Sequence, residues 1–187
     1  MKRCALTLCL LIAVTVMAER PAAWAKKLEM PGLPNLHQVS TELYRSACPL
    51  EDGGVRDEKR LGIRTVICLR VCDKSEKVPE GVKIHHIRMN PFGISDADIR
   101  EVLQLLQHKE DAPFLIHCTH GADRTGVMCA AYRICVQGWT KEEAIAEMKN
   151  GGFGYHRILT NLEKTVRKMN VEQIRKVLAE NTKAAVH

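Results

Sequence analysis

The chain has 187 residues, of which 45% are hydrophobic and 27% are charged, and this length and composition suit a single globular domain. Its formal net charge is +6, but the Lys and Arg residues form neither a continuous block nor a stripe interleaved with aromatic residues. Composition therefore argues against a nucleic-acid partner.

The first 25 residues have the pattern of a cleavable export signal. Residues 1–3 are a basic start, residues 4–18 form an apolar run, and residues 23–25 read Ala-Trp-Ala, which suits a cleavage site. The apolar run is too short to span a membrane. We therefore expect residues 1–25 to be removed. The mature domain, residues 26–187, is expected in the periplasm or secreted, without a stable membrane span.

Hydrophobic spacing along the remaining chain predicts strands that alternate with helices. Strands are expected within residues 36–46, 64–69, 82–89 and 113–116. Helices are expected within residues 51–60, 95–106, 127–137, 140–150, 156–169 and 171–179, the first being weak because two glycines interrupt it. This alternation predicts an α/β fold with a central, mostly parallel sheet flanked by helices. Its core is expected at about residues 36–168, followed by a helical tail.

The stretch HCTHGADRTG at residues 117–126 lies between a buried strand and a buried helix. In such a loop the free backbone N–H groups and the helix dipole both favour an anion. Of the eight cysteines, only Cys118 has an arginine, Arg124, six positions later. A thiolate facing a guanidinium above such a loop is suited to attack on a phosphate monoester. The alternative is a buried structural cysteine beside a surface arginine, which this context makes much the weaker interpretation.

These residues match the pattern H-C-x-x-G-x-x-R-T-G of the protein tyrosine phosphatase superfamily. The chain resembles its dual-specificity members, above all the small periplasmic bacterial tyrosine phosphatases, from about Leu43 to Gly154. Shared stretches lie at residues 44–49, 131–133, 137–139 and 151–154. The resemblance implies the cysteine-dependent phosphatase fold and hydrolysis of phosphotyrosine, or also of phosphoserine and phosphothreonine, through a phosphocysteine. It implies no metal and no other cofactor.

The resemblance also assigns roles within the motif. Cys118 is the nucleophile, and Arg124 grips two phosphate oxygens and stabilises the transition state. His117 supports the loop, or is simply a core histidine, and Thr125 assists departure of the sulfur, or is simply a helix-start threonine. The phosphate is expected to lie on Thr119, His120, Gly121, Ala122, Asp123 and Arg124. We call residues 118–124 the phosphate loop.

The general acid has two candidates. Relatives carry an Asp on a loop before the capped helix, but residues 89–93 of this chain contain no carboxylate. Asp96 follows closely, although a first-turn acid on a capped helix has a sufficient structural reason to be there. Asp123 directly precedes Arg124, and some phosphatases of related pattern look as if they use this position. We favour Asp123 slightly over Asp96.

Two further features have alternative interpretations. The pair His85 and His86, with Cys118 and His120, could indicate zinc, but the ligand spacing is unconvincing and we reject a metal. In the family architecture the loop after strand 64–69 lies beside the phosphate loop, and this chain carries Cys72 there. A reversible disulfide between Cys72 and Cys118 is one expectation, and a spare surface thiol is at least as good a one.

The substrate class also stays open at this point. A phosphorylated protein is favoured over a phosphoinositide or inositol polyphosphate, because the variable loop positions carry no Lys or Arg and one is acidic. A phosphate-binding module without catalysis would require loss of Cys118 or Arg124, and both are present.

Overall fold

The computed structural model describes residues 20–72 and 77–184, with side chains as far as residue 181. The predicted export signal therefore lies outside the described residues except for positions 20–25. Along the described ranges no helix combines the length and the apolar character needed to cross a bilayer.

Six strands form one sheet in the order β1-β2-β3-β6-β4-β5. They are β1 (Lys26–Lys27), β2 (His37–Gln38), β3 (Leu43–Ser46), β4 (Thr65–Cys68), β5 (Lys83–His86) and β6 (Phe114–His117). The four strands β3, β6, β4 and β5 are parallel, and β1 and β2 add an antiparallel edge. The predicted mostly parallel sheet is therefore confirmed.

Helices flank this sheet. They are α1 (Glu51–Leu61), α2 (Asp96–Leu105), α3 (Asp123–Cys135), α4 (Lys141–Asn150), α5 (Thr160–Lys168) and α6 (Val171–Ala184), with a 3-10 turn at Lys109–Asp111. Twelve of the thirteen residues of α3 are buried, which makes it the central helix. The last helix is more than a tail, because its Ile174 and Leu178 join the main hydrophobic core.

Helix α1 is more regular than its two glycines suggest. A Cβ on Gly32 would lie 2.0 Å from the carbonyl oxygen of Gly53, and a Cβ on Gly54 would lie 2.7 Å from Pro49 Cβ. The missing side chains therefore let two chain segments cross closely. At this crossing the buried carboxylate of Asp57 accepts a hydrogen bond from the Gly32 N–H at 2.7 Å, which lowers the Asp57 pKa.

The register of the parallel strands positions the site. His117, the last residue of β6, pairs with Ser46 of β3 and with Cys68 of β4. The three parallel strands end together, so the segments that follow them meet at one edge of the sheet. Residues 47–48, 69–70 and 118–124 consequently lie side by side, at the N-terminus of α3.

Candidate active site

The phosphate loop connects β6 directly to α3, as the sequence predicts. Its tightest point is Gly121, which has a φ of 68°. A Cβ at this position would lie 2.4 Å from the Ser46 carbonyl group, so no larger residue fits without displacing β3.

Donors from outside the loop hold its carbonyl groups. The Cys48 N–H donates to the Thr119 oxygen at 3.3 Å, and the Asn35 side chain donates to the His120 oxygen at 2.9 Å. The Gly121 and Ala122 oxygens both accept from Arg45 Nη2, at 2.7 and 3.4 Å. Because C=O and the next N–H point in opposite directions across a peptide plane, these contacts turn the loop N–H groups inward, where they can bind an anion.

Arg45 is itself rigidly placed. It is only 1% exposed, and its guanidinium lies 3.7 Å from the centre of the Phe153 ring. The His37 ring packs edge-on against the same Phe153 ring, with ring centres 4.7 Å apart. No local sequence pattern indicates a role for Arg45, Phe153 or Asn35, because their function depends on contacts between distant parts of the chain.

The environment of Cys118 favours its thiolate. Burial opposes ionisation, but the hydroxyl and backbone N–H of Thr125, the Arg124 charge and the His120 N–H outweigh it. The pKa of Cys118 is therefore lower than that of an ordinary cysteine. The buried Thr125 hydroxyl has no other partner within the ranges that the structure describes, so it is available to the sulfur.

Arg124 is anchored for binding an anion. Its Nη1 donates to the Leu69 carbonyl oxygen at 3.2 Å, at the end of β4, and its Nη2 donates to the Thr119 hydroxyl at 3.0 Å. These contacts hold the guanidinium at the loop instead of leaving it extended into solvent. The predicted pair of nucleophile and phosphate-binding arginine is thus brought together.

Asp123 has a partner that sequence analysis missed. Its carboxylate, 9% exposed, accepts from the His156 backbone N–H at 3.1 Å and lies 2.7 Å from His156 Nδ1. The His156 ring also packs edge-on against His120 of the phosphate loop, with ring centres 5.3 Å apart. His156 is 33 positions from Asp123, and no local spacing reveals the contact.

Asp96 occupies a different environment. It opens α2, whose N-cap Ser95 forms a capping box with Asp98. Its carboxylate accepts from the Asn170 backbone N–H at 3.2 Å, at the junction of α5 and α6. The structure therefore gives Asp96 a partner between helices, whereas it gives Asp123 a position in the phosphate loop.

The family can be named from this chain's match to a family model. The model of the tyrosine phosphatase family matches residues 33–177, which include the whole sheet except β1 and the complete phosphate loop. This chain belongs to the tyrosine phosphatase family. It is a cysteine-dependent phosphatase with the fold that the resemblance implied.

Similar proteins agree with this assignment. The dual specificity protein phosphatase TpbA of Pseudomonas aeruginosa (strain PAO1) is 36% identical over 169 residues, covering 89% of this chain and 76% of TpbA. A crystal structure of TpbA with a cysteine-to-serine substitution, in complex with pTyr, has a TM-score of 0.76 at 34% identity and covers 86% of this chain and 99% of that chain. The inositol diphosphatase DSP1 of Oryza sativa subsp. japonica is 31% identical over 109 residues, 53% of this chain and 49% of that protein.

Two further residues singled out in the sequence are Cys72, after β4, and His86, at the end of β5. Cys72 is exposed on the loop after β4, and neither it nor Cys118 forms a disulfide in the structure. Cys48 also contacts the phosphate loop, since its N–H donates to the Thr119 carbonyl oxygen, and its sulfur lies 3.0 Å from Arg70 Nη1. His86 Nε2 contacts the Arg70 carbonyl oxygen at 2.7 Å.

Proposed function

We propose that this phosphatase removes phosphate from phosphotyrosine in proteins, and more slowly from phosphoserine and phosphothreonine, through a phosphocysteine. The observation that carries the proposal is the geometry of the loop: Cys118 is buried at its start, Arg124 is held at its end, and donors from outside bind its carbonyl groups, so that its N–H groups face inward. Cys118 attacks phosphorus, and the bond from phosphorus to the leaving oxygen breaks. The loop N–H groups and Arg124 stabilise the negative charge of the transferred group.

Asp123 is the proposed general acid. In the first step its carboxyl group gives a proton to the leaving oxygen, and in the second step its carboxylate takes a proton from the attacking water. The Thr125 hydroxyl then assists departure of the Cys118 sulfur. His156 positions Asp123 through contacts with both of its carboxylate oxygens, at 3.1 and 2.7 Å. Asp96 is less suitable because it contacts the α5–α6 junction.

Two exposed apolar residues favour an aromatic phosphate in a peptide. Ile158, 87% exposed, follows His156 by two positions, and Phe92, 74% exposed, lies on the loop before α2. Asn161, near the start of α5, donates to the Pro91 carbonyl oxygen at 2.7 Å, so the loop before α2 is held against α5. Ile158 is two positions from His156, which contacts Asp123 of the phosphate loop, and an exposed apolar side chain there suits a tyrosine ring and its flanking residues better than a highly charged inositol.

A second candidate substrate is an inositol polyphosphate or phosphoinositide. Its support is the similarity to an inositol diphosphatase, together with His120 and His156, whose neighbouring imidazole rings at the loop can donate hydrogen bonds to additional phosphate groups. The acidic Asp123 and the apolar Phe92 and Ile158 weigh against it. A phosphate-binding module without catalysis is disfavoured, because both Cys118 and Arg124 are in place.

The test is a comparison of substrates at matched enzyme concentration. We expect phosphotyrosine peptides to give the highest kcat/KM, ahead of phosphoserine peptides, phosphoinositides and inositol polyphosphates. Cys118→Ser should abolish turnover but still bind phosphate, because an alcohol is far less ionised than this thiol. A preference for inositol phosphates would select the second candidate, and turnover by Cys118→Ser at a tenth of wild type would refute the phosphocysteine.

We also propose that the enzyme is exported, with a mature N-terminus at or near Lys26. The support is the pattern of residues 1–25. Mass spectrometry of protein from the cell envelope of the host tests the site, and an intact Met1 in the cytoplasmic fraction would refute export.

A further inference from the structure

Three potential metal ligands meet beside the phosphate loop. Each of His120, Asp123 and His156 offers a nitrogen or oxygen atom, and these atoms all lie within 4.8 Å of one another. The distance from His156 Nδ1 to Asp123 Oδ2 is 2.7 Å, and the ring centres of His120 and His156 are 5.3 Å apart. The sequence suggests His120 as a metal ligand only with Cys118, His85 and His86, whereas the structure places it with Asp123 and His156.

The chemistry of the set fits a cation of the zinc class. Two imidazoles and a carboxylate are common zinc ligands, with bonds of roughly 2.0–2.2 Å, which places neighbouring ligand atoms about 3.3 Å apart in a tetrahedron. The ligand atoms of the cluster all lie within 4.8 Å of one another, so bringing them to this spacing requires shifts of at most about 1.5 Å. Both histidines are exposed on loops, and side-chain rotation can close the remaining gap, whereas the buried Asp123 gives a fixed reference point.

We propose that His120, Asp123 and His156 form an inhibitory binding site for a divalent transition-metal ion such as Zn²⁺. The ion replaces the hydrogen bond between His156 Nδ1 and Asp123 Oδ2, and the proton shared by these atoms leaves to solvent. Three protein ligands leave a fourth position open to water. The ion inhibits because it occupies the carboxylate that protonates the leaving group; this consequence rests on the proposed role of Asp123, whereas the binding itself does not.

The first test measures binding without catalysis. Full-length Cys118→Ser protein is titrated with Co²⁺, which reports tetrahedral nitrogen and oxygen ligands by visible absorption. We expect one ion per chain, displaced by Zn²⁺, with no thiolate-to-metal charge-transfer band. His156→Ala in the same background should weaken binding by about tenfold or more. The matched control is His108→Ala, which removes another exposed histidine paired with a carboxylate, Glu110, at 3.1 Å; it should bind like its parent.

The second test measures inhibition. Zn²⁺ should inhibit the wild-type enzyme and His108→Ala at the same concentration, and His156→Ala should need about tenfold more Zn²⁺ relative to its own metal-free rate. Binding that disappears in Cys118→Ser, or a thiolate charge-transfer band in the wild type, would place the ion on the nucleophile and overturn the site. Equal binding by His156→Ala and its parent would overturn it as well. Metal binding by Cys118→Ser with no inhibition of the wild type would refute only the inhibitory role.

Discussion

Arg45 Nη2 lies 2.7 Å from the carbonyl oxygen of Gly121, although the two residues are 76 positions apart, and this contact holds the phosphate loop open toward its ligand. The same nitrogen lies 3.4 Å from the Ala122 oxygen. The guanidinium is fixed in turn by stacking on Phe153. Binding of the phosphate therefore depends on a buried residue of β3 that does not belong to the motif.

Replacing Arg45 should impair catalysis, although this buried residue of β3 lies outside the motif. Lys cannot bridge two carbonyl oxygens while its charge stacks on Phe153, so the loop N–H groups lose their orientation. Loss of one such charged hydrogen bond costs about 1.5–3 kcal/mol, so we expect kcat/KM of Arg45→Lys to fall by roughly tenfold to a hundredfold. Arg60→Lys is the matched control, because it makes the same replacement at an exposed position of α1, away from the phosphate loop. A kinetically silent Arg45→Lys would contradict the proposed function of this contact.

The contrast between the motif and Arg45 shows what the sequence could reveal. Strand, loop and helix at residues 113–137 follow from local hydrophobic spacing, and Cys118 and Arg124 follow from their separation within one loop. Arg45, Asn35 and His156 act on this loop from 33 to 85 positions away. Such contacts arise from strand pairing and helix packing, which no local pattern encodes. The strand expected within residues 82–89 is likewise shorter, Lys83–His86, because only this part pairs with β4.

Thr125→Val should raise the pKa of Cys118. Val has nearly the shape of Thr but lacks the hydroxyl that stabilises the thiolate, whereas the burial that opposes ionisation remains. Alkylation by iodoacetamide follows the thiolate, so its pH profile should shift to higher pH in the variant. Thr160→Val, at the start of α5, is the matched control. An unchanged profile would show that the Thr125 hydroxyl does not reach the sulfur.

The two candidate acids are distinguished by the dependence on leaving group. Asp123→Asn cannot donate a proton, so it should slow phenolic substrates with poor leaving groups more than activated ones. Asp96→Asn should have little effect, because its carboxylate contacts the Asn170 N–H. The measurement is kcat/KM for a series of aryl phosphates of increasing phenol pKa, because this ratio reports the step in which the phenol leaves. Steeper dependence in Asp96→Asn than in Asp123→Asn would assign the acid to α2 and its preceding loop.

His37 should make stability depend on pH. Burial, opposed by its hydrogen bond to the Asn35 carbonyl and reinforced by the Arg45 charge, lowers the pKa of His37 from 6.5 to about 4. Between these values the unfolded chain binds the proton that the folded chain excludes, so the free energy of unfolding falls as pH decreases from 6.5 to about 4.

Urea unfolding across this pH range measures the effect. His37→Gln, which stays neutral, should show a smaller loss of stability with falling pH than the wild type does. His108→Gln, an exposed control, should follow the wild type. Identical pH slopes for His37→Gln and wild type would mean that His37 does not titrate differently in the folded and unfolded chains.

The last prediction concerns oxidation of Cys118. Its lowered pKa favours the thiolate, which peroxide oxidises by two electrons to a sulfenic acid. A second thiol can then attack that sulfur and release water, and the resulting disulfide protects Cys118 from further oxidation. Cys72, exposed on the loop after β4, is the second thiol that the sequence suggests. Cys48 serves as a comparison, because its backbone N–H contacts Thr119 of the phosphate loop.

We expect mild peroxide followed by a thiol reductant to restore the activity of the wild type and of Cys48→Ser, but not of Cys72→Ser. Without its partner, the sulfenic acid proceeds to sulfinic acid, which a thiol cannot reduce. Mass spectrometry before reduction should find Cys72 linked to Cys118. Equal recovery of the wild type and Cys72→Ser would leave Cys72 as a spare surface thiol. If only Cys48→Ser failed to recover, Cys48 would be the thiol that captures the oxidised nucleophile and protects it.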